Sequence, residues 1–162
     1  LANNIGCSTQ RNGAAVTAVT DDRKYSILIA DDDEAHRSAL REIFAPYGFR
    51  TLLASNANEA LTTFEFEAVH CLLLDMHMPD LTGLETMRIV RRRRQWLPCI
   101  IITADESRET RQQAFESQAF SVLSKPVNRE LVVFTVRRAL HHVYEPWLDI
   151  SVPRLDRPKT IE

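Results

Sequence analysis

The chain of 162 residues lacks any apolar run approaching the roughly 20 residues that cross a bilayer. Its early AAVTAV stretch, residues 14–19, is too short and polar for a signal-peptide core. Cysteine is scarce: Cys7, Cys71 and Cys99 are odd in number and far apart, and two of them sit inside apolar runs. That excludes a disulfide framework and fits a reducing compartment, so a soluble cytoplasmic protein is the expectation. Charge imbalance is missing too. Twenty Lys and Arg face 22 Asp and Glu, a formal net charge of −2, which gives no global drive towards nucleic acid. There is no internal repeat and no low-complexity block. What remains is ordinary globular usage, 44% hydrophobic and 26% charged, at a length that suits one domain with short tails.

The texture changes twice along the chain. Residues 1–24 are rich in Asn, Thr, Ser, Ala and Gly without an apolar period, which predicts a flexible leader. Residues 144–162 hold three prolines; there Trp147 and Leu148 either fold back on the last helix or anchor a partner. Between them, residues 25–143 read as the domain. Five short β-rich runs (25–30, 51–54, 69–75, 99–103 and 119–124) alternate with amphipathic stretches, the pattern of βαβ units around a parallel sheet. Helices are expected over 34–45, from an Asn56 cap onward, over 84–95, over 107–117 and over 128–142. Their inner stripes include Met87, Ile89 and Val90 in the third and Leu131, Phe134 and Leu140 in the fifth.

Right-handed crossovers make such a chain a doubly wound sheet, whose ligands sit beyond the carboxyl ends of the strands. The polar residues at those ends are Asp31, Asp32 and Asp33, then Asp75, Thr103 and Lys125. Asp33 has the position of a helix cap. Three converging carboxylates repel, and removing them from water is costly unless a cation neutralises them. Mg²⁺ suits the set, because it takes oxygen ligands and pairs one or two carboxylates with a phosphate. Lys125 and Thr103 suit phosphate oxygens. An Asp75 carboxylate so placed can attack phosphorus in line and form an acyl phosphate.

The segments ILIADDDE, LLLDMHMPDLTGLE, IIITA and SVLSKPV occur in this order with strand-helix spacing, and the chain resembles the receiver domain of two-component response regulators over residues 25–143. The resemblance implies a flavodoxin-like α/β fold with five parallel strands in the order 2-1-3-4-5 and five helices. It implies Asp31 and Asp32 as an acidic Mg²⁺-binding pair, Asp75 as phosphoacceptor, and the backbone carbonyl of His77 as a further ligand. Thr103 would be the switch hydroxyl and Lys125 the phosphate-binding lysine, with Lys125-Pro126 a cis peptide. The phosphodonor would be a sensor histidine kinase or a phosphotransfer protein, and the output a switched protein–protein contact on residues 107–142 that includes the possibility of a homodimer.

Two positions depart from that pattern. Val122 stands where receivers usually carry Tyr or Phe, and strand alternation predicts that Phe120 shares its face. Ser117-Gln118 replaces a common glycine.

Neither end has room for a DNA-binding module, so the expectation is a stand-alone receiver that is not an enzyme beyond self-phosphorylation and self-dephosphorylation. Two other readings stay open: a receiver fold used as a constitutive binding module, and a Mg²⁺-dependent aspartyl phosphatase, against which His77 counts because such enzymes place a second Asp there. His77 is read as a loop side chain or a group acting on water attack. His36, His70, His141 and His142 are read as surface or helix-end residues, and Cys71 and Cys99 as small core hydrophobes rather than a redox pair. Arg88 and Arg91 to Arg94 are either a solvated helix end or a docking patch.

Overall fold

A computed structural model of the chain describes residues 25–145; the leader, Cys7, Trp147 and Leu148 lie outside the described residues. Five strands, β1 (Ser26–Ala30), β2 (Arg50–Ala54), β3 (Cys71–Asp75), β4 (Cys99–Thr103) and β5 (Ser121–Ser124), form one sheet in the order β2-β1-β3-β4-β5. Every pairing is parallel. The helices that connect and follow them are α1 (Glu34–Phe44), α2 (Ala57–Phe66), α3 (Gly83–Arg93), α4 (Arg108–Glu116) and α5 (Arg129–Tyr144).

The apolar strands go to the centre. Every residue of β1, β3 and β4 is buried, whereas the edge strands β2 and β5 are only partly so. This follows from helices covering both faces, which lets a central parallel strand be apolar on both sides. One core packs Phe64, Leu84, Met87, Val90 and Ala114 from α2, α3 and α4 against Leu72, Leu74 and Ile101. The other packs Leu40 and Phe44 of α1 and Val132, Val136 and Leu140 of α5 against Ile27, Leu73 and Ile102. Each fully buried Leu or Ile contributes about 1.5–3 kcal/mol, enough to make β1, β3 and β4 the rigid frame of the domain.

Each helix starts where a polar side chain satisfies its free amides. Asp33 accepts from the amides of Ala35 and His36, Asn56 from Glu59, Ser107 from Thr110, and Asn128 from Leu131. Thr82 and Glu85 form a reciprocal capping box that opens α3. Pro46 lies in a single 3₁₀ turn after α1, closed by Gly48 at φ 80°, where a residue without Cβ is favoured. Lys125-Pro126 is cis, as the resemblance implies.

Three expectations are corrected. Leu131 and Phe134 are about half exposed, and α5 buries Val132, Val133, Val136, Ala139 and Leu140 instead. The valine and alanine positions form a better continuous stripe, and the larger side chains are left to the solvent side. Phe120 and Val122 do not share a face: Val122 packs with the α2–α3–α4 core and Phe120 with the α1–α5 core. Strand alternation fails there because β5 begins only at Ser121. The Phe120 amide instead bonds the Cys99 carbonyl at 2.8 Å, and its ring lies 6.1 Å from that of His142. Finally, α5 continues through Tyr144, whose hydroxyl donates to the His70 carbonyl and whose ring lies beside Tyr25 and His70.

Cys71 and Cys99 are free and buried in opposite cores, as small hydrophobes. Burial pushes the Cys99 thiol up to about 11 and the Cys71 thiol well above its ordinary value, so neither is a nucleophile. Among the described residues, no helix is long and apolar enough to cross a membrane.

Candidate functional site

The sheet order reverses beside β1, since β2 lies on one side of it and β3 on the other. A crevice opens at the carboxyl ends of these strands. Asp31 and Asp32 follow β1 and Asp75 ends β3, and the register pairs Ala30 with Leu74, one residue before each group. Carboxylate oxygens of all three aspartates accordingly lie within 4.8 Å of one another.

Their surroundings differ. Asp31 is buried and held on every side: one carboxylate oxygen accepts the Asp33 amide at 2.9 Å, the other meets the Lys125 ammonium at 2.9 Å, and its carbonyl accepts from Arg37 at 2.6 Å. Asp32 is exposed and paired with no donor among the described residues. Asp75 is buried, with its Oδ1 at 3.2 Å from Lys125 Nζ. Lys125 thus bridges Asp31 and Asp75.

The titration behaviour follows from that geometry. Burial, reinforced by the Asp31 charge, pushes the Asp75 carboxyl above the usual carboxylate range, although the Lys125 ammonium and the His77 amide act the other way. For Lys125, burial pulls the pKa down. The hydrogen bond to Asp31 and the charges of Asp75 and Asp31 outweigh it, so the ammonium titrates above its ordinary value. A carboxylate that is costly to ionise, faced by two oxygens of its own kind, suits a hard divalent cation. The donor set, all oxygen and drawn from two strand ends, is one that Mg²⁺ accepts.

Thr103 ends β4, one residue beyond Ile102, which is in register with Asp75. Its carbonyl accepts the Lys125 amide at 2.8 Å, and its hydroxyl accepts the Asp105 amide at 3.0 Å. The Asp105 side chain in turn accepts from Ser107 and Thr110, fixing the start of α4 to the same loop. Beside Thr103 runs a cleft of about 500 Å³ that Phe115, Val122 and Ser124 also line. The short Val122 side chain leaves that space open.

Two contributors, His36 and Arg37, were not legible in the sequence, whereas Gly83 lies in the motif LLLDMHMPDLTGLE, where the resemblance has it shape the loop behind the site. His36, in the first turn of α1, lies with Nδ1 3.2 Å from Lys125 Nζ and 3.7 Å from an Asp31 oxygen. Its distance in the chain from Lys125 hid the contact, though its place three residues after the Asp33 cap turns it towards the strand ends. Arg37 clamps the Asp31 carbonyl. Gly83, at the start of α3, lies so close to Asp75 that a Cβ there would be 2.4 Å from the Asp75 carbonyl oxygen. His77, by contrast, approaches Asp75 through its amide, while its side chain is exposed.

Sheet order, helix placement and a lysine-bearing aspartate pocket at the switch point define a flavodoxin-like doubly wound α/β domain. Within that class the chain belongs to the response regulator receiver domain family, whose model matches residues 27–137. It is 31% identical over 119 residues to the transcriptional regulatory protein ZraR of Klebsiella oxytoca, covering 74% of this chain and 27% of that protein. To the DNA-binding transcriptional regulator NtrC of Salmonella typhimurium it is 31% identical over 119 residues, 74% of this chain and 25% of that protein. The chain therefore spans about a quarter of the length of these relatives. Among solved structures, a CheY-like receiver domain protein from Methanospirillum hungatei superimposes with a TM-score of 0.69 at 27% identity, over 73% of this chain and 94% of that one. The chemotaxis protein CheY4 of Vibrio cholerae gives 0.68 at 26% identity, over 72% and 98%.

Proposed function

We propose that Asp75 accepts a phosphoryl group from a sensor histidine kinase or a phosphotransfer protein, and that the acyl phosphate switches a protein–protein contact. The observation that carries this reading is the convergence of Asp31, Asp32 and Asp75 within 4.8 Å, bridged by Lys125. Asp31, Asp32, Asp75 and the His77 backbone carbonyl would hold Mg²⁺, which supplies charge neutralisation for the incoming phosphoryl oxygens when bound.

An Asp75 carboxylate oxygen attacks phosphorus as the bond from phosphorus to the donor's imidazole nitrogen breaks, and the imidazole leaves with the electron pair. Lys125, already within 3.2 Å of Asp75, holds the charge of the transferred oxygens. Burial on the β3 frame keeps Asp75 from moving during attack.

The new dianionic group offers acceptors to the Thr103 hydroxyl, which at present accepts from Asp105. Exchange of that contact would shift the loop leading to α4. The output surface of this reading is α4, β5 and α5. Its support is the exposure of Phe115 on α4 and of Leu131 and Phe134 on α5, three large apolar side chains left in water. The domain acts in this reading from the cytoplasm as a phosphoprotein rather than as an enzyme with a separate substrate.

The test is phosphorylation of the full chain by a small acyl-phosphate donor with Mg²⁺, read by intact mass. One added phosphoryl group, absent from Asp75→Ala, supports the reading; the same added mass in Asp75→Ala refutes it.

A further inference from the structure

At the opposite end of the sheet, a cleft of about 650 Å³ lies between the end of α3, the residues leading into β3 and the end of α5. It is remote from Asp75, which lies at the other end of β3, five residues or about 16 Å along the strand. Arg91 to Arg94, His70, Trp96 and Tyr144 are among the residues around it, and among the described residues no carboxylate lines it. The His70 Nδ1 accepts the Ser26 amide at 3.0 Å, so the ring proton sits on Nε2. Burial and the nearby Arg94 hold the His70 pKa down, which keeps that ring a neutral donor. The polar side-chain atoms around the cleft are therefore chiefly donors.

Their availability is uneven. Arg93 pairs with Glu65, and Arg94 is tied to the Val69 carbonyl at 3.1 Å with its guanidinium over the Phe64 ring. Arg92 is exposed and has no partner among the described residues. Trp96 is 77% exposed, a large apolar surface left in water on the same cleft as Arg92. Leu97, Val69 and Val143 supply an apolar floor.

We propose that this cleft docks an acidic segment of a partner protein, with a carboxylate on Arg92 and a neighbouring apolar side chain against Trp96. Trp, Tyr and Arg are the residue types that carry most binding energy at protein interfaces. A nucleic-acid backbone fits less well, because it needs several free cations along its phosphates, whereas Arg91 reaches Gln118, Arg93 pairs with Glu65 and Arg94 holds the Val69 carbonyl, which leaves Arg92 as the cleft arginine without a partner among the described residues. The site lies away from the phosphoacceptor, so docking there holds a partner in both phosphorylation states. This goes beyond the phosphoacceptor reading and does not depend on it.

The experiment uses the full chain and three labelled probes: a short peptide of alternating Glu and Leu, its counterpart with Gln in place of Glu, and a short single-stranded oligothymidine. The Glu-Leu peptide is expected to bind saturably and to shift the Trp96 indole NMR signal, assigned from Trp96→Phe. Arg92→Glu should weaken it about tenfold, and Asp75→Asn should leave it unchanged. Arg92 is exposed and unpaired, so its variant keeps the fold, and Trp96→Ala provides a second loss of affinity from the apolar side. Absence of saturable binding, equal affinity for the Gln peptide, tighter binding of the oligothymidine, or an unchanged affinity in Arg92→Glu would each overturn the proposal.

Discussion

Replacing Gly83 by Ala is expected to damage the fold and the phosphoacceptor together. Gly83 is the first residue of α3, and its amide donates to the Met76 carbonyl at 3.0 Å, so α3 is docked directly onto the segment that leaves β3. A Cβ at that position would lie 2.4 Å from the Asp75 carbonyl oxygen, 3.0 Å from its carbonyl carbon and 3.3 Å from Leu74 Cβ. The two shortest contacts are to backbone, which no side-chain rotation relieves. Either α3 moves away from the sheet or the Asp75 peptide turns. Overpacking of this kind costs about 1–3 kcal/mol. The helix-propensity gain of Ala over Gly is at most about 1 kcal/mol, and less at the first helical position. A net loss of about 1–2 kcal/mol lowers the folded-to-unfolded ratio about 5- to 30-fold. With a urea dependence of about 2 kcal/mol per molar, the unfolding midpoint should fall by roughly half a molar to one molar. Displacement of Asp75 by even about 1 Å can slow phosphoryl transfer by about a hundredfold, read as the initial rate of mass gain. A Gly83→Ala protein with an unchanged midpoint and an unchanged rate would refute this account of how α3 positions Asp75.

Other outcomes follow from the same geometry. Lys125→Ala should fold yet accept phosphate about a hundredfold more slowly, and a wild-type rate would exclude it from charge stabilisation. Because Asp75 titrates above its unfolded value of 3.8, its folded form holds the proton more tightly; its contribution to stability is therefore present below pH 3.8 and is lost as pH rises through the folded pKa. Without divalent ions, Asp75→Asn should then raise the urea midpoint at neutral pH, and the difference should vanish below pH 3.8; a lower midpoint at neutral pH would contradict the burial argument. Tyr144→Ala removes the bond to the His70 carbonyl and the ring contacts with Tyr25 and His70, and should cost about 1–2 kcal/mol in urea unfolding. With Val122 leaving the cleft beside Thr103 open, the larger amide shifts on phosphorylation should fall in residues 103–116, the loop and α4, with smaller ones across β5 and α5; shifts confined to the strand ends around Asp75 would show that the α4–β5–α5 surface is not switched.

The sequence carried the sheet because its signal was one of composition. A strand buried on both faces reads as an unbroken apolar run, and CLLLD and CIIIT do. It also carried the acidic pocket, since parallel strands of equal length in a doubly wound sheet bring their ends together. Asp31, Asp32 and Asp75 needed only that rule to be placed. The inward face of α5 was harder, because nearly every residue from Leu131 to Val136 is apolar and periodicity loses its contrast. The Phe120 reading failed because β5 begins only at Ser121, which leaves Phe120 just outside the stretch where alternation applies. His36 acts through Lys125, far along the chain, and Arg37 through a backbone carbonyl, that of Asp31; neither leaves a local pattern. The donor-lined cleft at the far end needed the fold as well: RRRRQW is a charge run until β3 and α5 bring His70 and Tyr144 beside it.

On the proposed function, the carboxylate at the end of β3 is the reactive group of the domain. Incubating the full chain with Mg²⁺ and a small acyl-phosphate donor, followed by peptide mapping of the modified residue, tests it directly. A single phosphoryl group on Asp75 is expected, lost when Mg²⁺ is chelated beforehand and absent from Asp75→Ala. A phosphoryl group on any other residue, or undiminished modification of Asp75→Ala, would contradict it.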